Sequence, residues 1–267
     1  MATLDYKGYR LTADRSDSVR DPLIVETALS ILINSEAFSV TMHTPGKEKE
    51  LVLGLLNSEG ILPRDSDFDF QVLESDDAGH LSKVNITLPE MDTAEIISKR
   101  TLLTSASCGI CGNRELEIPK GKSIESSFTF ESPALTKMYE VMHTQQNAFI
   151  KTGGSHAAAI FGQDQELLAI SEDVGRHNAV DKSVGTLIEK GDLQKGKFLL
   201  VSGRISYEIV IKCFKARIPI LAAVSAPSSL AVDFAKEFGI TLLGFCREDR
   251  CTVFSHPNRI KNVHSKA

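Results

Sequence analysis

From residue 198 the chain alternates short, almost wholly apolar runs with amphipathic stretches: FLLVSG, ISYEIVIKCFKAR, IPILAAV, SSLAVDFAKEFG and ITLLGF. No other feature constrains the fold as strongly. Strands this apolar must be covered on both faces, and strands joined by helices of this length run parallel with right-handed crossovers. The expected class is α/β, a mixed sheet with helices on both faces. Upstream, Ser132-Pro133 starts a helix with Leu135, Met138 and Met142 inward. HAAAIFGQDQELLAISED reads as a hairpin turning through residues 162–165, and NAVDKSVGTLIEKG as an amphipathic helix ended by Gly191.

The chain before this reads as a smaller α+β domain built from antiparallel strands and one helix. LSILINSEAFSVTMHT alternates Leu29, Ile31 and Ile33, then Phe38, Val40 and Met42, around the turn Asn34-Ser35-Glu36. EKELVLGLLNSEG has helical spacing through Leu51, Leu55 and Leu56, with Gly60 placed as a C-terminal cap. FDFQVLES and LSKVNITL form a second hairpin. The polar passage PKGKSIESS then sets the boundary, giving domains 1–127 and 128–267.

The alternation also locates a pocket. In open α/β sheets ligands sit beyond the carboxyl ends of the strands. Here those ends carry Ser202-Gly203-Arg204, the stretch from Ser225 to Ser229, and the stretch from Phe245 to Arg250. Two of these turns lead into helix N-termini, where free N–H groups favour anions, and Arg204, Arg247 and Arg250 add fork-shaped donors suited to phosphate. The structural alternative is that Ser225 and Ser228 merely cap a helix while the arginines are solvated. Three adjacent strand ends favour an anionic ligand.

Between the two halves lies SASCGICGN, with Cys108 and Cys111 three apart. The five cysteines are scattered, and MATLDYKGYRLTADRSD lacks the apolar run of a signal peptide, so a cytoplasmic chain with reduced thiols is expected. No segment is apolar enough to span a membrane, and a net charge of −5 argues against a general nucleic-acid binder. Cys213 reads as a buried helix residue. For the Cys108 and Cys111 pair, three chemistries remain open. Zinc needs four ligands, and Cys246 with Cys251 offers two more at an unusual spacing. A dithiol redox carrier needs a reactive thiolate and a resolving neighbour. A sulfur relay needs a nucleophilic cysteine among small residues, with Arg114 near for charge.

The motifs together resemble the formate dehydrogenase accessory family, the FdhD-type sulfur carriers. The stretches that carry the resemblance are TPGKEKELVLGLLNSEGI, SASCGICG, TGGSHAAAIF, EDVGRHNAVDKSVG, SGRISYEIVIKC, IPILAAVSAPSSLAVDFA and GITLLGFCR, spanning roughly residues 20–260. Lys47 stands where the family has an acidic residue, and Asn34-Ser35 where it has Asn-Gly.

The resemblance implies a carrier that takes sulfur from a cysteine desulfurase. It delivers that sulfur to the molybdenum cofactor, bis(molybdopterin guanine dinucleotide), before formate dehydrogenase receives it. The persulfide cysteine falls on Cys108, with Cys111 as its neighbour. The cofactor-binding segment falls on Phe245, Cys246, Arg247, Glu248, Asp249 and Arg250. Guanine nucleotides such as GDP become partial ligands of the anion pocket of Ser202, Gly203 and Arg204, to which His156 is added. The second domain is expected to share the cytidine deaminase fold, and the protein to be a homodimer. Deamination itself is not expected, because Ala158 stands where the proton-shuttling Glu belongs. Arg176, His177 and Asp181 either contact ligand or belong to the start of a helix. Tyr207 and Glu208 are read as supports of the adjacent loop.

Overall fold

The computed structural model describes residues 2–62, 67–89, 121–248 and 250–261. Cys108, Cys111 and Asp249 lie outside these. The chain begins with a hairpin that the sequence reading did not anticipate: β1 (Thr3–Leu11) pairs along its whole length with β2 (Ser16–Ile24).

The next four strands, β3 (Thr27–Ile33), β4 (Glu36–His43), β5 (Asp69–Ser75) and β6 (Leu81–Thr87), form a sheet in the order β4-β3-β6-β5. Both expected hairpins are present. The sheet is mixed where antiparallel strands were expected: its central pair, β3 with β6, is parallel. Helix α1 (Glu48–Glu59) separates the two hairpins in sequence and lets β6 lie parallel beside β3. Asn34 and Ser35 both adopt positive φ, 50° and 70°, the conformation of a tight two-residue turn whose twist matches the strands. A bulge between Ile31 and Leu32 shifts the register. Phe38 therefore points into the core, whereas Val40 and Met42 face solvent, so the alternation does not hold through β4.

The larger sheet runs β13-β12-β11-β10-β8-β9, from β8 (His156–Phe161), β9 (Leu167–Asp173), β10 (Phe198–Val201), β11 (Ile220–Ala223), β12 (Thr241–Arg247) and β13 (Arg250–Ser255). Strands β10, β11 and β12 are parallel, as their apolar runs require. One face, through Ala158, Ile160, Leu199, Val201 and Leu221, packs on α4 (Arg176–Glu189), α5 (Tyr207–Lys215) and α6 (Ser229–Glu237). The other, through Ala157, Ala159, Phe198, Leu200 and Ala222, packs on α2 (Pro133–Thr144). Gly60, Gly191 and Gly239 sit just past α1, α4 and α6 at φ 71°, 69° and 73°. Helix α4 starts at Arg176, two residues before its expected start. Short α3 (Asn147–Thr152) and strand β13 are additions to the sequence reading. A short parallel pair, β7 (Phe130–Glu131) with β14 (Ile260–Lys261), ties the last described residues to the sheet's flank.

The smaller sheet and α1 have their own apolar core around Leu29, Ile31, Leu51, Leu56, Val84 and Ile86. This layer meets the larger one where α1 crosses α4. A Cβ on Gly54 would overlap the Asp181 carbonyl, and one on Gly185 would overlap that of Glu50, so the backbones touch. Two buried ion pairs line the seam: Lys182 with Asp173 and Lys212 with Asp181, each at 2.7 Å. Both are enclosed in hydrogen bonds. Lys182 also donates to the Thr44 carbonyl at 2.6 Å, and the Ser58 hydroxyl donates to Asp181 at 2.9 Å.

Candidate functional site

The carboxyl ends of β10, β11 and β12 open onto a cavity of about 870 Å³. That is within the range of small-molecule and cofactor sites. Its floor comes from strand ends: His156 at the start of β8, Ser202 after β10, Val224 after β11, and Cys246, Arg247, Glu248, Arg250 and Cys251 from the β12–β13 hairpin. Its wall is α2, through Leu135, Thr136, Tyr139 and Met142, and its rim includes Gly153, Gly154 and Ser155.

Local chemistry fixes these parts. Glu172 on β9 accepts from the N–H groups of Ala148 and Phe149 at the start of α3, and from the Ser155 hydroxyl at 2.7 Å. One carboxylate thereby holds the rim. The Ser202 hydroxyl accepts from the Ala157 N–H at 2.9 Å, clamping β10 to β8. The Thr136 hydroxyl donates to the Glu248 carbonyl at 3.1 Å, joining α2 to the hairpin tip. At that tip Phe245 and Glu248 adopt φ of 55° and 54°, which bulky residues seldom do. Phe245 leaves the cavity and half its surface meets solvent. It lines a second cavity of about 490 Å³ with Ser225, Ala226 and Thr252. Arg247, Arg250 and Cys251 line both.

A cationic group stands behind the first cavity. Burial, and then the charges of Arg176, His177 and Arg204, lower the His156 pKa from its ordinary value. A Cβ on Gly203 would come within 3.2 Å of the His156 ring, so the absence of a side chain there lets the loop lie against the imidazole. The Arg176 Nε is buried with no partner among the described residues. His177 and the Ser206 hydroxyl bind Glu208, whose carboxylate is held down at about 2 chiefly by the His177 contact. Glu208 thus braces the loop, as expected of it.

At the base lie three soft or aromatic groups. Cys246 is buried and Cys251 half-buried, and their proximity across the β12–β13 pair raises the first pKa and lowers the second. The Tyr139 hydroxyl is buried beside Cys246 and makes no well-formed hydrogen bond among the described residues.

The structure therefore brings together His156, Ser202, Cys246, Arg247, Glu248 and Arg250 in one cavity. It puts Phe245 in the adjoining one. Gly203 lies behind His156 and lines neither cavity, and Arg204 acts through its charge on His156. Asp181 belongs to the seam and is paired with Lys212. Cys213 is buried in α5, as expected. Ser228 caps α6, its hydroxyl accepting from the Ala231 N–H, while Ser225 lines the second cavity. Ala158 is wholly buried under the helices. Tyr139 and the other α2 residues were not expected at the site. Their spacing marks a helix packed on the sheet, and nothing in it points to a ligand.

These features define an α/β protein with a cavity at the carboxyl ends of three parallel strands of a mixed sheet, flanked by arginines and floored by thiols. The chain belongs to the FdhD/NarQ family, whose sequence profile it matches over residues 24–261. It is 40% identical over 265 residues to the sulfur carrier protein FdhD of Mycolicibacterium paratuberculosis, covering 94% of this chain and 96% of that one. It is 38% identical to the sulfur carrier protein FdhD of Sulfolobus acidocaldarius, covering 95% of this chain and 94% of the relative. The fold matches the crystal structure of a chain from Desulfotalea psychrophila assigned as a formate dehydrogenase accessory protein. That match has a TM-score of 0.77 at 20% identity and covers 98% of this chain and 100% of the other.

Proposed function

We propose that the chain is a sulfur carrier of the formate dehydrogenase accessory type. A thiolate at Cys108 takes the outer sulfur of a persulfide on a cysteine desulfurase, releasing the donor thiolate. Cys111 then attacks the inner sulfur of the Cys108 persulfide, leaving a Cys108–Cys111 disulfide and delivering the outer sulfur as sulfide to bis(molybdopterin guanine dinucleotide) held at the strand ends. A dithiol reductant restores the pair. The modified cofactor goes on to formate dehydrogenase. The carrier works as a homodimer.

The observation that carries this reading is the pairing of the Cys108-Gly-Ile-Cys111 motif with a cavity suited to a large anionic nucleotide. Arg247 and Arg250 supply bidentate donors for phosphate oxygens, and Arg176 and Arg204 add positive potential behind His156. The solvent-exposed Phe245 ring offers a stacking face for a purine base.

The test is intact-protein mass after incubation with a cysteine desulfurase and cysteine. One added sulfur, removed by reductant and absent in Cys108→Ala, supports the carrier. Sulfur loading unchanged in Cys108→Ala overturns the assignment to that residue. One zinc per chain with no sulfur gained would support the alternative, a zinc-binding or dithiol protein.

A further inference from the structure

Cys246 and Cys251 sit inside the ligand cavity, and the carrier chemistry above leaves them without a task. They differ from Cys213, which shows how this chain buries a cysteine for packing. Cys213 lies in the apolar centre of α5, donates to the Ile218 carbonyl at 3.2 Å, and is pushed far above the thiol range by burial. The other two are placed by a distortion. Between the pairs Gly244–Thr252 and Arg247–Arg250, two residues of β12, Phe245 and Cys246, face one residue of β13, Cys251. Phe245 absorbs the extra length at φ 55° and turns outward, which sends Cys246 inward beside Cys251.

The resulting pair is graded. Cys251 lines both cavities and is half open, so a reagent can reach it. Cys246 is only 4% exposed and lies across the strand pair from Cys251. Arg247 and Arg250 flank the open thiol with positive charge, which suits an anionic persulfide. The buried Tyr139 hydroxyl, without a well-formed bond among the described residues, stands ready as a donor beside Cys246.

We infer that Cys251 and Cys246 are a second sulfur-handling pair, in which Cys251 accepts sulfur from an incoming hydropersulfide and Cys246 resolves it, releasing sulfide inside the cavity. The inference rests on the sulfur-carrier reading. In the first step the Cys251 thiolate attacks the outer sulfur of R–S–SH. Its S–S bond breaks, R–S⁻ leaves, and Cys251–S–SH forms with no net oxidation. In the second step Cys246 attacks the inner sulfur of Cys251–S–SH. The outer sulfur departs with the electron pair and takes the Cys246 proton, leaving as hydrogen sulfide. The two cysteines are oxidised to a disulfide, and the sulfane sulfur is reduced to sulfide. A dithiol reductant restores the pair.

Full-length protein treated with glutathione persulfide tests this, because trypsin cuts after Arg247 and Arg250 and separates the two cysteine peptides. In the wild type the two peptides should become joined, with about one sulfide released per chain. In Cys246→Ser, Cys251 should retain one extra sulfur and sulfide release should fall at least tenfold. Cys251→Ser should do neither. Thermal unfolding checks that each variant is folded, and Cys246→Ala replaces Cys246→Ser if it is not. Oxidised glutathione, which carries no sulfane sulfur, should give no sulfide. Sulfur gained at Cys108 but never at Cys251, in folded protein, overturns this inference alone. Sulfur gained at no cysteine overturns the carrier reading with it.

Discussion

The seam between α1 and α4 and the cavity at the strand ends are both crowded with charged residues, and they are built on opposite terms. At the seam the charges of the two ion pairs are answered. Asp173, Lys182, Asp181 and Lys212 are at most 4% exposed and sit in closed networks of ion pairs and hydrogen bonds. Around the cavity some polar groups stay open: Arg176 keeps a buried Nε without a described partner, Tyr139 keeps its hydroxyl, and two bulky residues hold positive φ. Paired charges hold elements together, whereas a guanidinium with an open donor can still donate to an anion. The sequence motif EDVGRHNAVDK runs through both regions. Its Arg176 and His177 stand behind the cavity near His156, and its Asp181 belongs to the seam.

That division can be broken first at the seam's closest contact. Gly185→Val should cost more than about 4 kcal/mol and leave little folded protein, because the backbones of α1 and α4 must separate. Soluble yield and thermal unfolding measure it, and a stable variant would mean that the seam slides freely. Asp181→Ala comes next. It leaves the Lys212 ammonium buried without its carboxylate and should cost about 3–5 kcal/mol in denaturant unfolding. GDP affinity of the surviving folded protein should not change. A weakened affinity at equal folded fraction would show that the seam and the cavity are coupled.

The reverse pattern should hold on the other side. Arg247→Ala with Arg250→Ala should change stability by no more than about 0.5 kcal/mol, because both are exposed. It should weaken GDP binding at least tenfold by calorimetry, since each guanidinium bond to a phosphate contributes about 1.5–3 kcal/mol. Unchanged binding would move the nucleotide out of the cavity.

How far the sequence reached follows from what each region is made of. The parallel strands were legible because burial on both faces forces apolar runs, and their ends then located Ser202, Arg247 and Arg250 from topology alone. The opposite wall was not legible. Tyr139 is an ordinary α2 residue about a hundred positions from the hairpin it faces, and only the three-dimensional packing of α2 on the sheet brings them together. The outward turn of Val40 and Met42 was hidden because a bulge changes register without changing composition. Asp181 was ambiguous for a similar reason: a carboxylate has the same sequence signature whether its partner is a ligand or Lys212. The β1–β2 arm carries Leu4, Tyr6, Tyr9 and Leu11 exposed to solvent, so burial left no pattern there to read.

The smallest expected effect is the most specific to the cavity, and it concerns His156. Burial, and then the neighbouring Arg176, His177 and Arg204, hold its pKa below the ordinary 6.5, against a weaker pull from Asp173. A lowered folded value means that the unfolded chain takes the proton more readily. The stability His156 contributes is therefore present above the unfolded pKa and is lost as pH falls through 6.5 towards the folded value. A phosphate beside these groups reverses the local balance, because its negative charge stabilises the imidazolium. GDP binding should then raise the His156 pKa by roughly half a unit to one unit, a coupling of about 1 kcal/mol. The ring-proton titration followed by NMR, with and without GDP, reads this directly and is free of the nucleotide's own titration. His156→Gln keeps a polar group of similar size and identifies the resonance by its loss. A His156 pKa that stays fixed or falls when GDP binds would place the phosphates away from the imidazole, leaving Arg247 and Arg250 to hold them alone.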